Sequence, residues 1–263
     1  MHINHSLRTA FGKVASLYDK SRVTYPKQLI DDIITYSKIN LNGKIVDVGC
    51  GTGQATLPFA EKGYQITGLD ISKELITIAK KKCSPFKTAQ FKLSSFEKAK
   101  FNENSVDLII SGLAWHWVKP EQRYQKAHKM LTENGALAFF WSYQQSGKST
   151  VVKEVGKVLE IYGGKGAGPV GSRMKDYAAF VYEEIKRNHL FRNVKQKEYS
   201  IPTPFSREKY AGLVLTYSWV LKLPKNQQIK LKDDLQRILH KYKEPLTIPY
   251  KYVLVLAKKK VQR

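Results

Sequence analysis

The chain has 263 residues, 42% hydrophobic and 25% charged. That is ordinary globular usage, and it excludes a chain disordered throughout, a collagen-like repeat or a coiled coil. Lys and Arg number 45 against 22 Asp and Glu, a net charge of +23, which raises nucleic acid, a membrane surface or an acidic substrate as partners.

Residues 5–38 are predicted helical, with Ile30, Ile33, Ile34 and Tyr36 forming an apolar stripe after Tyr25-Pro26. Asn42-Gly43 reads as a turn. An alternation of strands and helices follows. Lys44–Val48 is a short buried-type strand, Gly49–Gly53 a loop and Gln54–Lys62 a helix. Tyr64–Asp70 is the second strand, and Ser72 caps a helix through Lys82. Gln90–Leu93 and Ser105–Ser111 are strands, Pro120–Leu131 a helix and Ala136–Trp141 a fifth strand. This rhythm predicts an α/β fold, a doubly wound, mostly parallel sheet covered on both faces. After Trp141 the rhythm breaks. Helices are predicted over Thr150–Tyr162 and Asp176–Asn188, around the glycine-rich loop Gly163-Gly164-Lys165-Gly166. Val194–Ile201 reads as a strand, Ser206–Val220 and Gln227–Tyr242 as helices, and Ile248–Ala257 as a last strand ahead of a basic tail. The expected organisation is one domain over 1–263. It has a helical cover at 1–38, a core at 39–142, a helical insertion or lid at 143–225, and a closing helix and strand at 226–263.

No apolar run approaches the ~20 residues of a membrane span. The start, Met1–Ser6, lacks the pattern of a signal peptide, and Cys50 and Cys83 build no disulfide framework. The expectation is a soluble, cytoplasmic protein, a monomer or weak dimer. No C-x-x-C or H-E-x-x-H spacing occurs, so no metal is implied.

The strongest chemical signal is Val46-Asp47-Val48-Gly49-Cys50-Gly51-Thr52-Gly53, between a predicted strand and a predicted helix, where a doubly wound sheet binds its ligand. A dinucleotide fold needs G-x-G-x-x-G, and here Gln54 stands where the third glycine should be. A P-loop needs G-x-x-x-x-G-K-[ST], which is absent. Asp70 closes the second strand, about 20 residues beyond Gly49, where a carboxylate can accept hydrogen bonds from both hydroxyls of a ribose.

Asp47-x-Gly49-x-Gly51-x-Gly53 with Asp70 resembles the class I S-adenosylmethionine-dependent methyltransferases, and more narrowly the type 11 group related to trans-aconitate methyltransferase. Further stretches carry the likeness: Tyr18–Pro26, Ser95-Phe96-Glu97, Ala114-Trp115-His116-Trp117, Thr216-Tyr217-Ser218-Trp219 and Tyr252–Ala257. The resemblance implies a seven-stranded sheet whose last strand runs antiparallel, with S-adenosylmethionine as cofactor. It implies that Gly49, Gly51 and Gly53 pass against the methionine part and ribose, that Asp47 meets the amino group, and that Asp70 holds the ribose. Ile71, Ser95 and Phe96 would border the adenine, and Ser111 would sit beside the sulfonium.

Aromatic faces attract a sulfonium, which nominates Tyr18, Tyr25, Trp115 and Trp117, the last three also as acceptor-binding residues. Arg22 suits a carboxylate, of the acceptor or of the cofactor. His116, between two tryptophans at the mouth of the fourth strand, is the candidate general base. The expected reaction is methyl transfer to an oxygen or carboxylate of a small molecule. An RNA or DNA methyltransferase is the alternative raised by the charge, and a cofactor-binding protein without transferase activity is the third. Against nucleic acid, no Asn/Asp-Pro-Pro-Tyr loop follows the fourth strand, and the basic excess is almost all lysine, which lacks the two-pronged base-reading geometry of arginine.

Overall fold

Side chains on a strand alternate between two faces, and each buried strand here divides its apolar residues that way. The computed structural model describes residues 11–163 and 171–261. Residues 1–10, and residues 164–166 of the predicted glycine-rich loop, lie outside the described residues. The strands are β1 (Lys44–Val48), β2 (Gln65–Asp70), β3 (Ala89–Leu93), β4 (Val106–Gly112), β5 (Leu131–Gln144), β6 (Phe191–Phe205) and β7 (Leu246–Lys259). They form one sheet in the order β3-β2-β1-β4-β5-β7-β6. β1 to β5 pair in parallel, and β7 runs antiparallel to both β5 and β6.

The helices are α1 (Ala15–Ser21), α2 (Lys27–Ser37), α3 (Thr56–Glu61), α4 (Lys73–Lys82), α5 (Arg123–Met130), α6 (Thr150–Ile161), α7 (Gly171–Arg187), α8 (Arg207–Leu215) and α9 (Lys225–Leu239). On one face Ile45, Ile66, Leu108 and Phe140 pack with α2, α3, α6, α8 and α9. On the other, Val46, Ile109, Phe139 and Trp141 pack with α5 and α7. α4 shows how local chemistry sets an element. Ser72 accepts the Leu75 N–H at its start, Glu74 lies in its first turn, and Lys80, Lys81 and Lys82 lie in its last, each complementing the helix dipole.

The strand order places the site. The chain leaves β1 toward β2 and β3, then returns to lay β4 on the other side of β1. The loops after β1 and β4 therefore diverge and leave a crevice at the carboxyl ends of the strands.

Several predicted boundaries move. The first helix breaks in two: α1 ends at Ser21, and Arg22 and Pro26 are extended. The residue before a proline avoids helical geometry, so α2 starts afresh at Lys27. α5 starts at Arg123 rather than Pro120, α7 at Gly171 rather than Asp176, and α8 stops at Leu215 rather than Val220. β5, β6 and β7 are all longer than predicted, because they zip together from Ala136↔Lys258 to Gln144↔Tyr250 and from Phe191↔Lys259 to Phe205↔Leu246. The basic tail is partly structural. Lys259 is buried, and its Nζ donates to the Leu131 carbonyl at 2.6 Å and to Asn104 Oδ1 at 2.7 Å.

Candidate functional site

The crevice opens into one cleft lined from both ends of the chain. Its floor is the loop after β1. Gly49 has φ 71° and Gly51 φ 56°, the left-handed region. At Gly49 a Cβ would stand 2.4 Å from the Cβ of Ala114, so the loops after β1 and β4 touch here only because the side chain is absent. Around Gly51 the nearest atoms to such a Cβ are 3.7 Å and 3.9 Å away, on Gln54 and Tyr18, which leaves its backbone open to the cleft. The loop is tied to β2 by the N–H groups of Gly49 and Cys50, which both donate to the Leu69 carbonyl at 2.8 Å and 2.9 Å.

Asp70 closes this end. Its Oδ2 accepts the Gly51 N–H and its Oδ1 the Ser72 N–H, both at 2.9 Å. The carboxylate is thus fixed between the glycine loop and the start of α4. Ile71, Ser95 and Phe96 line the same end.

Asp47 lies one layer deeper. It is fully buried and does not line the cleft. Its Oδ2 accepts the Thr56 hydroxyl at 2.7 Å, while its Oδ1 is buried without a partner. Burial, with a smaller push from the charge of Asp70, raises its pKa to about 7. Gly53 and Ser111 also stand outside the lining. Gly53 packs toward Ala79 and Cys83, and the Ser111 hydroxyl donates to the Val48 carbonyl at 2.7 Å, bracing β4 against β1.

The tryptophans around His116 divide. Trp117 lines the cleft. Trp115 does not: it is fully buried and stacked on Phe139 at 4.0 Å, so the sequence expectation of a ligand-facing Trp115 is corrected to a core residue. His116 lines the cleft and stacks on Tyr177 of α7 at 4.4 Å. Trp141 Nε1–H donates to its Nδ1 at 3.3 Å, which leaves the proton of the neutral ring on Nε2. Burial, assisted by the charge of Arg123, lowers its pKa to about 3. A neutral ring of this kind offers an N–H donor and takes up a proton poorly.

The other end of the cleft is rich in donors. The Arg22 guanidinium lies 4.5 Å over the Tyr18 ring, and its Nη2 donates to the Thr216 carbonyl at 3.2 Å. Its Nε is buried without a partner, as is Nε1 of Trp219, another lining residue. Gln144, at the end of β5, accepts the Tyr210 hydroxyl at 2.6 Å and donates to the oxygens of Tyr217 and Tyr250 at 3.1 Å each. Burial raises the Tyr217 pKa to about 12 against the pull of Arg22, so the phenol stays neutral. Tyr25 packs edge-on against Phe140 at 4.6 Å, and its hydroxyl occupies the space that a Cβ on Gly112 would fill.

Gln144, Trp219, Tyr250 and Met174 were not singled out as site residues by sequence reasoning. Gln144 left one trace, a polar residue ending a long buried run. Among the described residues no helix is long and apolar enough to cross a membrane, and no cluster of three or more His, Cys, Asp or Glu has metal-holding geometry.

Comparison with known proteins decides the class. Residues 46–139, from β1 to β5, match a family described as "Methyltransferase domain". Residues 46–139 thus carry a methyltransferase domain, of the class I S-adenosylmethionine-dependent kind. It is 22% identical over 253 residues to an uncharacterized methyltransferase of Mycobacterium tuberculosis (strain ATCC 25618 / H37Rv), covering 94% of this chain and 95% of that protein. An uncharacterized methyltransferase of Schizosaccharomyces pombe is 26% identical over 223 residues, 84% of each chain. The fold is shared with phosphoethanolamine N-methyltransferase 2 of Haemonchus contortus, solved with phosphomonomethylethanolamine and S-adenosylhomocysteine. The TM-score is 0.57 at 13% identity, over 99% of this chain and 61% of that one. The residues after β1 and β2 fit the cofactor: an open glycine backbone, a carboxylate fixed beside it, and an unpartnered carboxylate oxygen beneath the loop.

Proposed function

We propose that the protein methylates an ionised oxygen, a carboxylate, on a small-molecule acceptor. The observation that carries this reading is the pair of buried, unpartnered donors at the acceptor end, Arg22 Nε and Trp219 Nε1. A buried donor without an acceptor costs about 1–3 kcal/mol, more if charged, and a ligand oxygen relieves that cost. The guanidinium also supplies the opposite charge to a carboxylate.

On this reading Asp70 holds the ribose hydroxyls, and Gly49 and Gly51 lay their backbone along the cofactor. Ile71, Ser95 and Phe96 border the adenine, and Asp47 Oδ1 attracts the ammonium. S-adenosylmethionine, when bound, supplies an electrophilic methyl group on a sulfonium, and its transfer to an ionised oxygen leaves a neutral thioether with no proton to move. The protein's work is then placement and exclusion of water. Tyr18, Tyr25 and Trp117 present ring faces and edges to the cleft. His116 donates from Nε2 toward the acceptor instead of taking a proton, in keeping with a nucleophile that is already ionised.

The test is a mass-spectrometric screen for S-adenosylhomocysteine and methylated product. Small carboxylates, alcohols, phenols, tRNA and duplex DNA are offered in parallel. The expected product is a methyl ester that releases methanol in mild base. A methyl group found on nitrogen, on carbon or on nucleic acid would overturn the reading.

A further inference from the structure

The cover helix α1 touches both ends of the cleft through particular side chains. Tyr18 and Arg22 line the cleft, and Tyr18 lies beside Gly51. On its other flank α1 packs against α8 so closely that a Cβ on Gly212 would stand 2.4 Å from Ser21 Oγ. α8 leads directly into Tyr217 and Trp219, two acceptor-end residues. Between these contacts, Asp19 reaches down to the cofactor loop. Its Oδ1 accepts the Thr52 hydroxyl at 2.5 Å and the Gln54 side-chain amide at 3.5 Å. Lys82, the last residue of α4, completes the cluster as an ion pair on the same oxygen.

We infer that Asp19 is a positioning residue that latches the N-terminal cover to the cofactor loop and so sets how long S-adenosylmethionine stays bound. The inference rests on the loop after β1 being the cofactor site. The physical basis is convergence. Three donors from two separate elements, the loop at Thr52 and Gln54 and the end of α4 at Lys82, meet one carboxylate carried by a third. Thr52 is fully buried, and its hydroxyl is held by Asp19. Among the described residues the carboxylate joins cover to loop by charge-assisted bonds, while Tyr18 adds packing over Gly51. Opening the cover therefore breaks the Asp19 contacts and releases the loop in the same motion. Because α1 also holds α8, the latch aligns the cofactor end with the acceptor end.

A merely structural ion pair would lower stability and leave ligand kinetics alone. The experiment measures S-adenosylmethionine association and dissociation by stopped-flow, using the fluorescence of Trp117 and Trp219 at the cleft. It also follows amide hydrogen exchange of residues 11–22 in the free protein. Asp19→Ala is expected to raise the dissociation rate about tenfold, as lost charge-assisted hydrogen bonds of this kind imply, with the association rate changed far less. Exchange across residues 11–22 should quicken in step. Asp19→Asn, which keeps an acceptor for Thr52 but drops the charge facing Lys82, should fall between. Lys82→Met, at a partly exposed helix end, carries the same expectation with a smaller effect and serves if Asp19→Ala does not fold. Unchanged dissociation and exchange in the folded variants, with wild type binding normally, would overturn the latch alone. Failure of wild type to bind S-adenosylmethionine would overturn the cofactor-site reading, and the latch with it.

Discussion

The two ends of the cleft are built in different ways. The end proposed for the cofactor comes from three short stretches, residues 46–53, 69–72 and 95–96, the first two held by backbone hydrogen bonds between adjacent parallel strands. The end proposed for the acceptor gathers Arg22, Gln144, Tyr217, Trp219 and Tyr250 from segments separated by up to 228 residues. Its bonds run mainly between side chains: one glutamine satisfied by three phenols. A binding site made of backbone is robust to sequence change around it, whereas a site made of side chains from distant elements changes with each one. The same fold can thus keep its cofactor and alter its acceptor.

The sharpest way to break this contrast lies beside it, at the paired tryptophans. Trp115→Ala should destabilise the protein by about 3–5 kcal/mol in chemical denaturation, since it empties a buried stack on Phe139. Trp117→Ala should leave stability within about 1 kcal/mol and raise the KM for the acceptor. Equal losses of stability would erase the distinction between core and cleft. Next comes the floor. Gly49→Ala puts a methyl 2.4 Å from Ala114 at a positive φ, and should cost about 1–3 kcal/mol with loss of cofactor affinity, read by thermal shift with and without S-adenosylmethionine.

Asp70→Ala acts on the cofactor end alone. It removes two backbone anchors and the proposed ribose contact, and should raise the cofactor Kd by about 10- to 100-fold in calorimetry. Its counterpart is Arg22→Met, which should raise the acceptor KM by about tenfold while the cofactor Kd moves little. If both substitutions shifted both constants alike, the cleft would behave as one site and not two.

The smallest effect concerns pH. With the Asp47 pKa near 7, cofactor affinity should fall as pH drops from 8 to 6, because the protonated carboxyl no longer attracts an ammonium. Asp47→Asn should flatten that profile. The free protein responds in the opposite sense. A folded-state pKa above the unfolded value means the folded chain holds an extra proton between about pH 4 and 7. The stability Asp47 contributes is therefore fully present below about pH 4 and lost as pH rises through about 7.

How much of this was legible beforehand follows the same division. β1 was predicted to the residue, and the glycine loop, Asp70 and the Ser72 cap stood where expected, because short continuous apolar runs, positive-φ glycines and capping hydroxyls act within a few residues. The predicted helix over 5–38 broke at Arg22, and β5 to β7 outgrew their predicted lengths, since strand length there depends on a partner far away in the chain.

The sequence by itself determined the glycine loop after β1 and Asp70 beside it, for their geometry is written in neighbouring residues and in the backbone they permit. Only the tertiary structure decided that Trp115 is core while Trp117 faces the cleft, that the His116 ring is buried and accepts from Trp141, that Arg22 and Trp219 leave donors unpaired, and that Asp19 spans from α1 to the loop after β1. Each of those depends on burial, and burial is a property of distant segments packed together, which no local pattern encodes.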